Sequence, residues 1–125
     1  VLKEYEPNII NTVDVSQNVW DDIHDGMYRV VQTHNQFNGL GVDVAGKTGT
    51  AKIASVGGYG KYYMSTFAGF APISNPRFAL VVVISAPKAG KFYGGVVSGP
   101  VFRAVMSKAL QLYNIKPDRE KDEKN

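Results

Sequence analysis

The run Phe78-Ala79-Leu80-Val81-Val82-Val83-Ile84 contains no charge, glycine or proline. A short stretch so rich in β-branched residues is a strand, and its side chains alternate between two faces. Both faces are apolar here, so the strand should be covered on both sides. It should also not stand unpaired, because a long apolar edge is a template for aggregation.

Its surroundings sharpen that demand. Residues 42–56 and 62–71 also have strand texture. Gly57-Gly58-Tyr59-Gly60 joins those two, and residues 72–76, with Pro72 and Pro76, lead into the apolar strand. Both connections are short enough only for antiparallel neighbours. Sequential order then leaves 78–85 at an edge of the sheet, and no partner strand is evident in residues 1–41. The chain therefore reads as part of a larger domain, or as one lacking its partner segment.

Helices are expected on either side of the strands. Ser16 is placed to cap a helix running to about residue 32. Val19, Trp20, Ile23, Met27, Val30 and Val31 recur at the three-and-four spacing of a buried face. Asp21 and Asp22 lie near its start, where the helix dipole favours anions. Residues 1–15 read as irregular or extended, and 35–41 as a loop. After a loop over 86–95, a second helix is expected over about 97–113, with Pro100 in its first turn, where proline costs no hydrogen bond. Val101, Phe102, Val105, Met106, Ala109, Leu110 and Tyr113 supply its apolar face. The fold class is α+β, an antiparallel sheet flanked by helices.

At 125 residues the chain is about one domain long. Its formal net charge of +3 gives no basic stripe that would suggest nucleic acid. Its N-terminus is not a signal peptide, and no stretch reaches membrane-span length. The absence of cysteine excludes disulfides and thiolate metal sites. His24 and His34 are the only imidazoles, in or just after one helix, and they do not make a metal site. No cofactor is called for.

One segment carries two incompatible chemistries. Gly41 to Thr48 reads as the GxxxxGKT of a phosphate-binding loop. That loop needs a buried strand before it, a flexible glycine-rich turn and a helix beginning at the lysine. Here polar Asn35-Gln36-Phe37-Asn38 precedes it, Val42-Asp43-Val44-Ala45 fills the turn, and Gly49-Thr50 follows. No apolar strand ends in the aspartate needed for magnesium, so the nucleotide reading fails on context.

In a strand, Thr48 and Thr50 point one way and Lys47 the other. Gly49 removes a side chain that would obstruct a ligand lying along the strand. Charge-assisted hydrogen bonds to a carboxylate contribute roughly 1.5–3 kcal/mol each, enough to orient a peptide C-terminus.

Lys-Thr-Gly is the third motif of penicillin-binding proteins and serine β-lactamases. The wider text is more specific. Gly46-Lys47-Thr48-Gly49-Thr50-Ala51-Lys52, Phe67-Ala68-Gly69-Phe70-Ala71-Pro72, the segment from Pro76 to Ile84, and Gly94-Gly95-Val96-Val97-Ser98-Gly99-Pro100-Val101-Phe102 follow in order. Over about residues 14–115 the chain resembles the class B penicillin-binding proteins, in particular the division-specific penicillin-binding protein 3 type.

That resemblance implies a penicillin-binding protein/serine β-lactamase-like transpeptidase fold, with residues 1–115 as the C-terminal part of one incomplete domain. Residues 116–125 read as a polar, disordered tail. It implies a periplasmic peptidoglycan D,D-transpeptidase, anchored in the inner membrane by an N-terminal helix, active in septum formation with divisome partners, and a target of β-lactams. By motif, Lys47 would support a proton network. The Thr48 and Thr50 hydroxyls would hold the carboxylate of a D-Ala-D-Ala stem peptide or an antibiotic, beside Gly49. The Thr50 backbone N–H would be one of two oxyanion-hole donors. Tyr63, Phe92 and Tyr93 fall where related enzymes place aromatic residues near the cleft, and Lys52 reads as solvated.

The family also needs Ser-x-x-Lys at a helix start and Ser-x-Asn in a loop, both earlier. Ser85-Ala86-Pro87-Lys88 matches the first by letters, but it ends a strand and comes after Lys47. Ser16-Gln17-Asn18 matches the second, but it opens a helix too close before Lys47. Both are coincidences of lettering. The chain is expected to supply one wall of the active site without the nucleophile, the missing motifs lying upstream, and to be inactive alone. Alternatives are an inactive scaffold module or a related D,D-carboxypeptidase or β-lactamase.

Overall fold

The computed structural model describes residues 3–118. Its order is helix α1 (Gln17–Gln32), strands β1 (Ala45–Ser55), β2 (Gly58–Ala71) and β3 (Phe78–Ser85), then helices α2 (Gly94–Val97) and α3 (Gly99–Leu112). The three strands form one antiparallel sheet in the order β1-β2-β3. The short connections dictate that sequential order, and β3 stands at one edge as expected.

The alternation of β2 builds the core. Ser65, Phe67, Gly69 and Ala71 are buried on one face, while Thr66, Ala68 and Phe70 are half-buried on the other. On β3, Ile84, Val82, Leu80 and Phe78 lie opposite that buried set. Helix α3 lays Phe102, Met106 and Leu110 on this face. The ring centroids of Phe37, Phe67 and Phe102 lie 4.8–6.0 Å apart. Gly46 matters to this cluster: a Cβ there would come within 2.7 Å of the Phe67 ring.

Several expectations are corrected. Strand β3 is not covered on both sides. Val81 and Val83 are 62% and 54% exposed, although on the same sheet face His24 of α1 packs on Phe70. Helix α1 does not bury its whole stripe. Val31 is buried and Met27 and Val30 are half-buried, but Val19, Trp20 and Ile23 are exposed. Ser16 takes the cap position with extended backbone, yet its hydroxyl makes no capping bond, and its carbonyl accepts from the Val19 and Trp20 amides.

The first strand begins at Ala45 rather than 42, since Val42 and Val44 are anchored in the core outside the ladder. The second begins at Gly58, so Val56 and Gly57 alone form the hairpin turn, with Gly57 at φ 86°. Beyond Lys52 the pairing shifts, and Lys52↔Tyr63 is followed by Ala54↔Tyr59. The loop after α1 contains a 3-10 turn, Asn35–Phe37, that buries Phe37.

The expected helix over 97–113 starts earlier and is broken at Ser98, and of its expected apolar face Val101, Val105 and Tyr113 are exposed. Its Ser98 Oγ donates to the Ser65 carbonyl at 2.8 Å, and Pro100 restarts the helix. Residues 119–125, most of the expected tail, lie outside the described residues. At the start of that tail, the Asp118 carboxylate accepts from the Asp43 amide and the Ser74 hydroxyl, both at 3.0 Å.

Candidate active-site strand

Strand β1 occupies the sheet edge opposite β3, so alternate backbone groups along it point away from the ladder. Its Lys47-Thr48-Gly49-Thr50 segment pairs in register with Ala68, Phe67, Thr66 and Ser65. Thr48 and Thr50, opposite Phe67 and Ser65, share the face that carries α2 and α3. Lys47 and Gly49 take the other face. This is the period-two arrangement expected from the sequence. It puts Lys47 and Thr48 in mid-strand, where a phosphate-binding loop would need a turn and a helix start.

Lys47 is exposed, and its Nζ donates to the Thr48 carbonyl at 2.8 Å. The ammonium therefore lies along its own strand, and no carboxylate neutralises it among the described residues. Gly49 is not required by β2: a Cβ there would meet the Thr66 Cβ at 3.4 Å, an ordinary contact. Its bareness leaves the strand surface open.

Thr50 is held from across the chain. The Gly94 N–H donates to Thr50 Oγ1 at 3.1 Å. That bond uses an acceptor lone pair and leaves the hydroxyl proton for a second, anionic partner. Gly94 can come so close only because it lacks a side chain; a Cβ there would collide with the carbonyl oxygens of Thr66 and Gly49.

The approach is fixed by buried polar bonds. Ser65 Oγ donates to the Phe92 carbonyl, Ser98 Oγ to the Ser65 carbonyl, and Gln36 Nε2 to the Gly95 carbonyl at 2.7 Å. Ser65 and Ser98 are both fully buried. Nothing in the local sequence pattern gives Gly94, Ser65 or Ser98 a role at the site. The Gly94-Gly95 pair before Ser98-Gly99-Pro100 was the available signal of a close approach.

The three candidate aromatics come together. Tyr63 and Phe92 stack with centroids 4.1 Å apart and planes 11° apart, and Phe92 lies 4.6 Å from Tyr93. Because Tyr63 pairs with Lys52, this stack stands beside the Thr50–Lys52 end of β1. Ser85, by contrast, ends β3, and Ser16 precedes α1, so neither joins the Lys47–Thr50 segment. His24 packs on Phe70 at 5.2 Å and His34 on Phe37 at 6.4 Å. Among the described residues no cluster of His, Asp or Glu could hold a metal ion.

The arrangement is an exposed strand edge bearing two hydroxyls on one face and a lysine on the other, bounded by aromatic rings. Its two hydroxyls can donate hydrogen bonds to an anionic group lying along β1.

Comparison with known proteins gives a consistent picture. The family model described as the penicillin binding protein transpeptidase domain matches residues 2–107. The chain is 57% identical over 81 residues to the peptidoglycan D,D-transpeptidase FtsI of Escherichia coli strain K12, covering 62% of this chain and 13% of that protein. It is 51% identical over 79 residues to the protein of the same name from Buchnera aphidicola subsp. Baizongia pistaciae, covering 62% and 14%. The chain thus spans only a small part of these relatives.

Among solved structures, the apo TP domain of Burkholderia pseudomallei penicillin-binding protein 3 aligns with a TM-score of 0.60 at 38% identity, over 70% of this chain and 27% of that one. A peptidoglycan synthetase from Bifidobacterium adolescentis ATCC 15703 aligns with a TM-score of 0.72 at 26% identity, over 87% and 20%.

Proposed function

The chain belongs to the family of penicillin-binding protein transpeptidase domains, and from that premise we propose that it forms one wall of the active site of a peptidoglycan D,D-transpeptidase. In the proposed reaction a serine outside this chain attacks the carbonyl of the penultimate D-alanine. The peptide bond to the terminal D-alanine breaks, and that residue leaves with the proton delivered to its nitrogen. An amine of a neighbouring strand then attacks the acyl-enzyme, forming the cross-link and releasing the serine with its proton restored. A β-lactam acylates the same serine.

The observation that carries this reading is the placement of Thr48 and Thr50 on one face of an edge strand, with Gly94 polarising Thr50. Their hydroxyls hold the terminal carboxylate of the substrate. Lys47, on the opposite face, supplies positive charge to the cleft and joins the proton network of the upstream segment. The Thr50 backbone N–H serves as an oxyanion donor, a contribution of about 2.7–4 kcal/mol in comparable sites. Tyr63, Phe92 and Tyr93 bound the cleft. The remaining motifs, Ser-x-x-Lys and Ser-x-Asn, belong to an upstream part of the same domain. Residues 1–115 are then the C-terminal part of that domain.

At the level of the whole protein, the reading extends to septal wall synthesis at the periplasmic face of the inner membrane, with an N-terminal anchor and divisome partners. The FtsI relatives are named peptidoglycan D,D-transpeptidases, which supports the wall-synthesis part of this extension.

The test is the rate of penicillin acylation in the intact protein. Thr48→Val and Thr50→Val should each raise the acylation barrier by roughly 1.5–3 kcal/mol, the worth of a charge-assisted hydrogen bond. Thr50→Ser should recover most of the loss, because it restores the hydroxyl and keeps the backbone donor. Unchanged acylation in both valine variants would remove the carboxylate role.

A further inference from the structure

The charge of this chain is segregated along its sequence. Between Asp43 and Asp118 there is no aspartate or glutamate, yet all the lysines and arginines except Lys3, Arg29 and those after Asp118 fall there. The net charge of +3 conceals this. The acids concentrate in the N-terminal arm, α1 and the tail, whereas the charged residues of the sheet and α3 are all cationic.

The fold gathers part of that charge at the hairpin end of the sheet. Lys52 pairs with Tyr63, whose ring stacks on Phe92 at 4.1 Å. The loop between β3 and α2 carries Lys88 and Lys91 and is pinned to β2 at both ends. The Ala86 amide donates to the Tyr63 carbonyl at 2.8 Å, and the Phe92 carbonyl accepts from Ser65. Lys61 extends the same end, with its Nζ 5.4 Å from the centre of the Tyr62 ring.

All four lysines are exposed, and none makes an ion pair with a described residue; the ion pair among these residues is Arg29–Asp25 on α1. Beside them Tyr59, Tyr62 and Tyr93 are 79%, 51% and 62% exposed. Only Ala51 separates Lys52 from Thr50, so this rim continues directly from the strand that carries the two threonines.

We propose that the rim of Lys52, Lys61, Lys88 and Lys91, with its exposed tyrosines, docks the carboxylate-bearing peptide of the second, acceptor strand. This rests on the transpeptidase reading above and assigns the acceptor its own anchoring surface. Like charges so placed repel one another when nothing neutralises them, and a polyanionic strand relieves that repulsion. The tyrosine faces suit the apolar faces of sugar rings on the same strand. The donor carboxylate is bound by hydroxyls on β1, whereas the acceptor is held by charge beyond them. The two strands are thereby kept apart at one cleft.

The experiment uses the full-length protein after acylation with penicillin, so that the donor cleft is filled. The probe is a soluble, uncrosslinked peptidoglycan strand with free stem-peptide carboxylates, compared with the same strand after conversion of its carboxylates to carboxamides. Combined Lys52→Gln, Lys61→Gln, Lys88→Gln and Lys91→Gln should weaken Kd for the carboxylate strand roughly tenfold, from four surface pairs of modest strength. Its salt dependence should also flatten. A matched Lys3→Gln, Arg77→Gln, Lys108→Gln, Lys116→Gln variant, altered away from the rim, should bind as the unmodified protein does. The carboxamide strand should bind the unmodified protein as weakly as the carboxylate strand binds the fourfold variant. An unchanged thermal melt shows that the fold is kept.

Kd unchanged in the fourfold variant, or equal weakening in the matched variant, overturns the proposal. So does a variant that loses binding to phosphatidylglycerol vesicles while retaining the strand, which would assign the rim to a lipid surface. Failure of the full-length protein to be acylated at all overturns the proposed function, and this inference with it. Acylation with unchanged strand binding overturns this inference alone.

Discussion

Helix α3 buries Phe102, Met106 and Leu110 against the sheet and exposes Val101 and Val105, whereas α1 buries Val31 alone and leaves Val19, Trp20 and Ile23 exposed. Both helices carry an apolar stripe at the same three-and-four spacing. The spacing selects which side chains can be buried together, and the presence of a facing surface decides whether they are. Helix α3 faces Phe67 and the half-buried side chains of β3, while the first half of α1 touches the sheet through the contact of His24 with Phe70. The opposite face of β3, with Val81 and Val83, is in the same condition as α1. Under the proposed function, both exposed surfaces pack against the remainder of the transpeptidase domain.

The contrast can be broken most severely from its buried side. Phe102→Ala removes a ring at the centre of the aromatic cluster and should cost about 3–5 kcal/mol, read as a shift in the urea midpoint. A loss below about 1 kcal/mol would mean that α3 is not docked as described. Gly94→Ala is next, because its Cβ meets two backbone carbonyls that cannot move aside like a flexible side chain. It should destabilise by about 1–3 kcal/mol, with slower penicillin acylation in the intact protein as the Thr50 contact opens. Ser98→Ala removes the buried hydroxyl that donates to the Ser65 carbonyl and should cost about 1 kcal/mol in the same unfolding experiment.

The smallest effect sharpens the comparison best. Trp20→Ser should cost the isolated chain at most about 1 kcal/mol, since the residue is 37% exposed and its ring lies 6.2 Å from that of His24. In the intact protein it should cost several times more. Equal, small effects in both would show that the stripe of α1 stays in solvent and that the packing explanation is wrong.

The same contrast explains what was legible in the sequence. Strand β3 begins and ends where expected, since Pro76 and the Ala86-Pro87 pair bound a run that local chemistry alone makes a strand. The sequential sheet order was legible because short connections permit little else. The break of the second helix at Ser98 was not foreseen, although Gly99-Pro100 favours a new helical start. It depends on Ser98 reaching Ser65, a partner in another element.

At the site, the alternation of Lys47, Thr48, Gly49 and Thr50 followed from strand periodicity. The Gly94 bond to Thr50 and the stacking of Tyr63 on Phe92 did not, because they depend on the β1–β2 register and on the path of the loop before α2. Local pattern therefore identified the groups, and long-range packing determined which of them meet.

The central claim is that this chain contributes the carboxylate-binding wall and not the nucleophile. Intact-mass spectrometry after incubation with penicillin tests it most directly, first on the chain alone and then on the chain reunited with its upstream segment. The account predicts no adduct on the chain alone, and in the reunited sample an adduct on the upstream piece. A penicillin adduct on this chain, at Ser85 or any other of its serines, would contradict it.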